Sequence, residues 1–424
     1  MRVLIVNTSE QTGGAAVAAG RLRDALNNNG VKAKMLVRDK ETAHLAVAGL
    51  RHKWLTRWKF LWERWCIFLH LRFHRRHLFD IDIANAGTDI TRLPEFREAD
   101  VIHLHWVNQG MLSLNDIAKI LDSGKPVVWT MHDIWPATAI CHLTLGCEHF
   151  KSACRQCKYL PGGGSANDLA AKTWQRKLRL YRRSDLTFVA CSQWLAAEAR
   201  KSALLSDKPV LAVPNPIDTR VFKRTDKQQA RERLGLPQGR RLMLFVSQRA
   251  DNVNKGMSYL IEACNAMLGK HPELKEETAV AILGGHADEI DGLFAIPLYP
   301  LGYVSDTARI VDIYNAADVF VMPSLSENLP NTIMEAMACG VPCVGFNVGG
   351  IPEEIDHLKN GYVARYRDAD DLAEGICHVL FNAGYDELSR QAVAKVHAAY
   401  SQQSVALRYT DIYTEALARK NYNL

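Results

Sequence analysis

The chain has 424 residues, a length that favours two or three domains, each large enough to bury its own core. Hydrophobic residues make up 48% and charged residues 23%, which excludes a mainly disordered chain, a collagen-like repeat and a polytopic membrane protein. The formal net charge of +6 is well below that of a dedicated nucleic-acid-binding protein, so we expect no nucleic-acid partner.

The apolar runs and the N-terminal stretch indicate the cellular compartment, which in turn bears on the cysteines. No run reaches the roughly 18–20 apolar residues that a membrane-spanning helix needs, and the N-terminal apolar stretch at residues 3–6 is too short for the core of a signal peptide. We therefore expect a cytoplasmic protein. The ten cysteines then indicate thiols or metal ligands rather than a disulfide framework.

Both halves of the chain alternate short apolar runs with helical stretches. In the first half, an apolar run at residues 3–6 is followed by Gly13-Gly14 and by an Ala-rich helix over 15–26. Such runs are typical of strands buried on both faces of a parallel sheet. We predict further strands at 34–37, 101–104, 127–130, 187–190 and 210–213, and in the second half at 242–246, 279–283, 319–322 and 342–345.

This alternation predicts an α/β fold with two Rossmann-like, doubly wound domains. The Pro-rich stretch at 214–216 is the expected linker, and we expect the two domains to face each other across a cleft. In open α/β sheets, ligands bind beyond the carboxyl ends of the strands, so the residues at those ends carry the functional expectation.

The segment at 324–342 is the most informative part of the second half. Its spacing predicts a loop that carries Glu327 and a helix that begins near Asn331, whose first amides and positive dipole end suit a phosphate. Glu327 and Glu335 are eight positions apart, about 12 Å along a helix, which is too far for the carboxylate pair of a glycosidase. Two separate carboxylates that bind sugar and ribose hydroxyls fit this spacing better.

Arg249 and Lys255 follow the predicted strand at 242–246, and Gly256 follows the lysine. Cations just beyond a strand end can hold a diphosphate and offset the charge of a leaving group. Taken alone, these two residues are better explained as solvated surface cations, which are common in loops.

These residues resemble those of the family 4 glycosyltransferases, which are retaining enzymes of the GT-B fold that take sugars from nucleotide donors. The resemblance covers nearly the whole chain, and its most specific part is the E-x7-E segment that begins at Glu327. The other matching features are the Arg249 and Lys255 pair, the Gly-Gly-Ile-Pro-Glu-Glu stretch at 349–354, the linker at 213–218 and the Gly13-Gly14 loop.

The resemblance implies a role for each matching residue. Arg249 and Lys255 hold the donor diphosphate, Glu335 binds the ribose, and Glu327 contacts hydroxyls of the transferred sugar. It also implies that catalysis requires no cofactor, and that the donor is a nucleoside diphosphate sugar. Backbone groups of three residues lie against the sugar and phosphate: Leu329, Pro330 and Asn331.

Two features of the first half of the chain also match the resembled family. His132 follows the strand at 127–130, and the resemblance places a histidine here near the donor sugar; a histidine satisfied by neighbouring backbone is the alternative. Gly13 and Gly14 would let the backbone approach a phosphate or an acceptor, although glycine pairs also mark ordinary turns.

Four cysteines follow His132 with the spacing C-x5-C-x6-C-x2-C, and His142 and His149 lie among them. Four thiolates can close a tetrahedral zinc site, whereas a reducing cytoplasm disfavours disulfides. A structural zinc site and four free thiols both remain open. The cysteines are Cys141, Cys147, Cys154 and Cys157.

The segment from Arg51 to Phe79 holds eight Arg or Lys and one Glu, with four tryptophans at helical spacing. A basic, Trp-rich helix is typical of contact with an anionic membrane surface. The alternative is an aromatic stripe that packs into the core of the first domain. We favour the membrane, because members of the resembled family often act on lipid-linked acceptors. The tryptophans are Trp54, Trp58, Trp62 and Trp65.

Together these features predict a retaining glycosyltransferase that acts on a glycan acceptor in cell-surface polysaccharide synthesis, and we expect that acceptor to be lipid-linked. We expect an acceptor-side domain over 1–218, to which residues 400–424 return, and a nucleotide-sugar-binding domain over 219–399. The protein would be cytoplasmic or peripheral on the inner face of the membrane. Alternatives are a non-catalytic glycan- or lipid-binding scaffold and another GT-B activity, such as sugar-nucleotide epimerisation or phosphorolysis.

Overall fold

The computed structural model describes residues 1–422 except 183, 250, 291 and 382. The chain forms two compact units. The first consists of Met1–Pro216 and the chain from Val405 onward, and the second is Ile217–Ser404.

The strands alternate with helices along the chain. The strands are β1 (Arg2–Ser9), β2 (Lys32–Asp39), β3 (Val47–Gly49), β4 (Val101–Leu104), β5 (Val127–Met131), β6 (Leu186–Ala190), β7 (Val210–Ala212), β8 (Arg241–Arg249), β9 (Thr278–Gly285), β10 (Leu298–Gly302), β11 (Val319–Met322), β12 (Cys343–Phe346) and β13 (Gly361–Ala364).

The α-helices differ widely in length. They are α1 (Gly14–Asn28), α2 (Lys53–His70), α3 (Pro94–Glu98), α4 (Leu114–Asp122), α5 (Leu169–Arg182), α6 (Gln193–Arg200), α7 (Lys227–Leu234), α8 (Met257–Lys270), α9 (Leu274–Glu277), α10 (Thr307–Ala316), α11 (Asn331–Ala338), α12 (Ile351–Glu354), α13 (Ala369–Phe381), α14 (Tyr385–Ala399) and α15 (Gln402–Tyr422).

Each unit is built on one parallel sheet. The first sheet has the strand order β3-β2-β1-β4-β5-β6-β7, and the second has the order β10-β9-β8-β11-β12-β13. In both sheets the order reverses beside the first strand of the unit, between β1 and β4 and between β8 and β11. This reversal opens a crevice at the carboxyl ends of those strands, where doubly wound folds bind ligands.

The predicted doubly wound α/β class is confirmed, and so is the return of the last helix to the first unit. The helix predicted to begin at Gln402 is α15, which packs Val405, Tyr409 and Tyr413 into the same core as Val3 and Ile5 of β1. The central strands are continuous apolar runs because helices cover both faces of the sheet.

Three strands went unpredicted, and all three lie at sheet edges: β3, β10 and β13. These three edge strands are only partly covered and lack a continuous apolar run, whereas the fourth edge strand, β7, retains one. β10 even contains Pro300, which the edge position tolerates. No helix in the described part of the chain is long and apolar enough to cross a membrane.

Glu354 on α12 places a carboxyl group in the core of the second unit. It is fully buried, and neither of its carboxylate oxygens has a hydrogen-bond partner among the described residues. Burial raises its pKa well above the ordinary carboxyl value, and the nearby negative charge of Glu327 adds to the shift. This carboxyl group therefore opposes folding.

We expect Glu354→Leu to raise the free energy of unfolding by about 1–3 kcal/mol, because it removes a buried polar group without partners. The folded pKa lies above the unfolded one, so the wild-type chain loses stability as pH rises above the unfolded pKa. The gain from the substitution should therefore be larger near pH 8 than near pH 5. Urea denaturation at both pH values measures it.

The matched control is Glu353→Leu, because Glu353 is only half-buried. It should not produce the same pH-dependent gain. An unchanged or lower unfolding midpoint for Glu354→Leu would contradict the argument.

Candidate functional site

Two loops of the second unit meet at the carboxyl ends of the adjacent strands β8 and β11. The backbone N–H of Leu325 donates to the carbonyl of Asn254 at 2.8 Å. Gly256, at φ +73°, lies so close to Pro323 that an added Cβ would sit 1.8 Å from the Pro323 carbonyl oxygen. Only glycine allows both this backbone conformation and this approach.

The contact between the loops brings Lys255 and Glu327 together. The distance from Lys255 Nζ to Glu327 Oε1 is 2.5 Å, and the side chains are 31% and 13% exposed. The loop after β12 supports the acidic partner, because a Cβ on Gly349 would lie 1.7 Å from the Glu327 carbonyl oxygen. A partly buried ammonium and a partly buried carboxylate thus form an ion pair at the carboxyl ends of these two strands.

Arg249 is the last residue of β8, and its guanidinium binds Asp251 with two hydrogen bonds. Nη2 lies 2.7 Å from Oδ2 and Nε lies 3.0 Å from Oδ1. The Arg249 side chain is 62% exposed, and ion pairs in such settings contribute little to stability. The guanidinium can therefore exchange Asp251 for another anion at little cost.

Glu335 lies in the second turn of α11 and is buried. It accepts a hydrogen bond of 2.6 Å from the hydroxyl of Tyr314 on α10. No motif in the sequence singles out Tyr314, and only the packing of the two helices reveals its role in holding this carboxylate. The residues that lead into α11 are Leu329 and Pro330, both buried, and the half-buried Asn331, which begins the helix.

In the first unit, Gly13 and Gly14 are exposed at the start of α1. Gly13 has φ +91°, and an added Cβ would meet no atom within 4 Å. The backbone conformation, rather than close packing, therefore requires glycine at position 13.

Three imidazoles form a column where β4 and β5 end. The ring nitrogens His132 Nε2 and His105 Nδ1 are 2.9 Å apart, and the His103 and His105 ring centroids are 4.3 Å apart. At the base of the column, the hydroxyls of Tyr413 and Thr130 each lie 2.7 Å from a ring nitrogen of His103. His132 thus contacts a second imidazole at the end of the sheet.

A buried polar network lies beside this column. Trp106 Nε1 donates to Asp133 at 3.0 Å, and the two ring nitrogens of His142 lie 2.8 Å from Asp133 and 2.6 Å from Asp82. Asp82 in turn binds Arg64 of α2. Burial alone would raise the pKa of Asp133. His142, the backbone N–H of Trp135 and the indole N–H of Trp106, which all bind the Asp133 carboxylate, lower that pKa below its ordinary value.

His142 lies among the cysteines in the sequence, but in the structure it belongs to this network. Both of its ring nitrogens are engaged by carboxylates, so it is a structural link between Asp133 and Asp82.

The four cysteines line one small cavity of about 20 Å³ together with His149, and all four are free thiols. Burial raises the pKa of Cys141 and of Cys154 to about 12. Among the residues the structure describes, no group of three or more His, Cys, Asp or Glu is arranged to hold a metal ion. The spacing therefore brings the thiols together, while the predicted zinc receives no support from their arrangement and stays a prediction.

The effect of burial on the pKa values of these three histidines can be tested. Burial lowers the pKa of His132 to about 4, that of His103 to about 3, and that of His105 well below its ordinary value. We expect all three to remain neutral at pH 6 and the fold to lose stability as pH falls from about 6.5 towards 4, because the unfolded chain then binds protons that the folded one refuses.

Imidazole nitrogen chemical shifts recorded by NMR between pH 5 and 7.5 measure this directly, because they distinguish a neutral imidazole from a protonated one. Titration of His132 near 6.5 would contradict the burial argument.

Two family models cover most of the chain. The model described as "Glycosyltransferase Family 4" matches residues 12–221, and the model described as "Glycosyl transferases group 1" matches residues 240–382. The two matches fall on the first and the second unit respectively, with residues 217–221 extending the first match past the boundary.

Relatives agree with this assignment. The D-inositol 3-phosphate glycosyltransferase of Thermobispora bispora is 30% identical over 239 residues, which is 52% of this chain and 55% of that protein. The N-acetyl-alpha-D-glucosaminyl L-malate synthase of Bacillus anthracis is 26% identical over 220 residues, 50% of this chain and 55% of that protein. The chain spans about half the length of these curated relatives.

A solved structure shows the fold over the whole chain. Anabaena HepE in complex with UDP matches 98% of this chain and 100% of its own length, with a TM-score of 0.64 and 17% sequence identity. Together with the two family models, this shared architecture shows that the chain belongs to the family 4 glycosyltransferases of the GT-B fold.

Proposed function

We propose that this protein transfers a sugar from a nucleoside diphosphate donor to a glycan acceptor, with retention of the anomeric configuration, in the synthesis of a cell-surface polysaccharide. The observation that carries the proposal is the Lys255–Glu327 pair at the carboxyl ends of β8 and β11. Family membership and the UDP in the HepE complex support a nucleotide donor.

In the second unit, each polar group would meet a different part of the donor. Lys255 and Arg249 would bind the diphosphate, since both cations are held by carboxylates that a phosphate can replace. Released from Lys255, the Glu327 carboxylate would accept hydrogen bonds from hydroxyls of the sugar. Glu335, oriented by Tyr314, would accept them from the ribose.

The backbone of the loop into α11 completes the proposed donor site at Leu329, Pro330 and Asn331. Pro330 has no amide hydrogen, so any donation to a phosphate comes from its neighbours. In the first unit, the backbone at Gly13 and Gly14 would approach a phosphate or an acceptor group, because neither residue carries a side chain.

The proposed reaction exchanges one bond at the anomeric carbon. The bond to the diphosphate oxygen breaks, and the acceptor hydroxyl oxygen forms a new bond on the same face of the sugar. The hydroxyl proton passes to the departing diphosphate oxygen. The protein's contribution is electrostatic: the cations of Lys255 and Arg249 stabilise the charge that develops on the diphosphate, and this chemistry requires no metal.

His132 would act in its neutral form. With a pKa of about 4, its imidazole can donate or accept a hydrogen bond with a sugar hydroxyl at neutral pH but supplies no cationic acid. We therefore assign it a positioning role towards the sugar.

The acceptor is proposed to be a lipid-linked glycan. The support is the row of exposed tryptophans on α2, which would bring the first unit to the lipid surface where such an acceptor lies.

We expect Lys255→Ala to lower kcat/KM for sugar transfer by about 10²–10³-fold, because it removes a cation from the leaving group. Its melting temperature should change little, since the pair is partly exposed. Thermal shift with UDP, GDP and ADP measures donor binding, and a nucleotide at a hundredfold excess over Kd stabilises the wild type by about 2.7 kcal/mol. The variant should lose that response.

Lys270→Ala is the matched control, because Lys270 also pairs with a glutamate in the same unit but on an exposed helix surface. Its turnover should equal that of the wild type. Equal turnover of Lys255→Ala and Lys270→Ala would contradict the role of Lys255, and no nucleotide response in the wild type would contradict the proposed donor.

A further inference from the structure

One face of α2 exposes large apolar side chains to solvent. With about 100° of rotation per residue, these side chains fall within an arc of about 120° on the helix. The tryptophans are between 49% and 66% exposed, so the alternative in which the stripe packs into the core is wrong. The face consists of Trp54, Leu55, Trp58, Leu61, Trp62, Trp65 and Leu69.

The opposite face of α2 is fixed in the first unit. Ile67 is buried in the core, and the buried carboxylate of Glu63 accepts hydrogen bonds from the backbone N–H groups of Ile83, Ala84 and Gly110. The exposed stripe is therefore not a frayed or misplaced helix. It is the solvent-facing surface of a helix whose opposite face packs against the first unit.

Cations border the apolar face. Arg57 and Lys53 are exposed on one side of the stripe, by the same helical rotation of about 100° per residue. Lys59, on the other side, is half-buried and donates to the Thr88 hydroxyl. Glu63 is the single acidic residue of the segment 51–79 and is buried. The solvent side therefore carries no negative charge over this length. Further exposed cations flank the helix at Arg51, Arg72, Arg75 and Arg76.

Phe73 and Phe79 extend the apolar surface beyond the helix and are 62% and 60% exposed. This combination exceeds what scattered surface residues produce and marks an interaction surface. A second copy of the chain fits it poorly, because packing two such stripes together would bring their cationic borders into contact. An anionic bilayer fits both parts, since indoles settle at the headgroups and cations meet lipid phosphates.

We propose that α2 and its flanking cations, from Arg51 to Phe79, dock the first unit on an anionic lipid surface with the helix lying in the interface. This goes beyond sugar transfer, since the binding requires neither donor nor acceptor. The α2 side chain Arg64 binds Asp82, and His142 joins Asp82 to Asp133 beside His132. The docked helix is thus connected by buried polar contacts to the end of β5.

The test is co-sedimentation of the full-length protein with vesicles of phosphatidylcholine, with and without phosphatidylglycerol, in the absence of nucleotide. We expect binding to the anionic vesicles at low salt, weaker binding at high salt, and little binding to phosphatidylcholine alone. The double variant Trp58→Ala/Trp62→Ala should lower the partition coefficient by at least about tenfold, because two exposed indoles no longer enter the interface.

Trp194→Ala is the matched control, because Trp194 is also exposed but lies on α6, outside the stripe. It should bind vesicles as the wild type does, and all variants should keep the wild-type melting temperature. Equal partitioning of the double variant and the wild type would overturn the proposal. So would an absence of binding at low salt, or self-association that the double variant abolishes without any vesicle binding.

Discussion

The close approach of two backbone segments at Gly256 and Pro323 is the constraint on which the second unit's site depends. The approach is possible only because residue 256 lacks a side chain and adopts a left-handed conformation. It sets the loop after β8 against the loop after β11, and this contact in turn brings the Lys255 ammonium to the Glu327 carboxylate. The chemistry we propose is therefore a consequence of where the strand order of the sheet reverses.

In the first unit, contacts between buried polar groups hold the corresponding residues in place. Asp133 and Asp82 are tolerated inside the fold because His142 and Arg64 satisfy them, as buried charges require. The same contacts anchor α2, so the helix that exposes its tryptophans is also connected to the end of the sheet through Arg64 and Asp82. The proposed docking helix and the geometry around His132 thus depend on one set of side chains.

The sequence was most informative where one physical signal dominates. Continuous apolar runs located the central strands, and strand ends followed by Arg249, Lys255 and Glu327 located the loops that meet. Edge strands such as β10 were missed because partial burial leaves no such run. The partners of His142 and of Glu335 were missed because they depend on contacts between distant segments, and the exposure of Trp58 required knowing which face of α2 the core takes.

The central claim is that the loop contact at Gly256 creates the donor site, and calorimetric titration of UDP into Gly256→Ala tests it most directly. A Cβ at this position must push the loops apart, whereas one at Gly269 on α8 meets no atom within 4 Å. We expect Gly256→Ala to bind UDP at least about tenfold more weakly than the wild type, and Gly269→Ala to bind it unchanged. Equal UDP affinity in both glycine variants would contradict that claim.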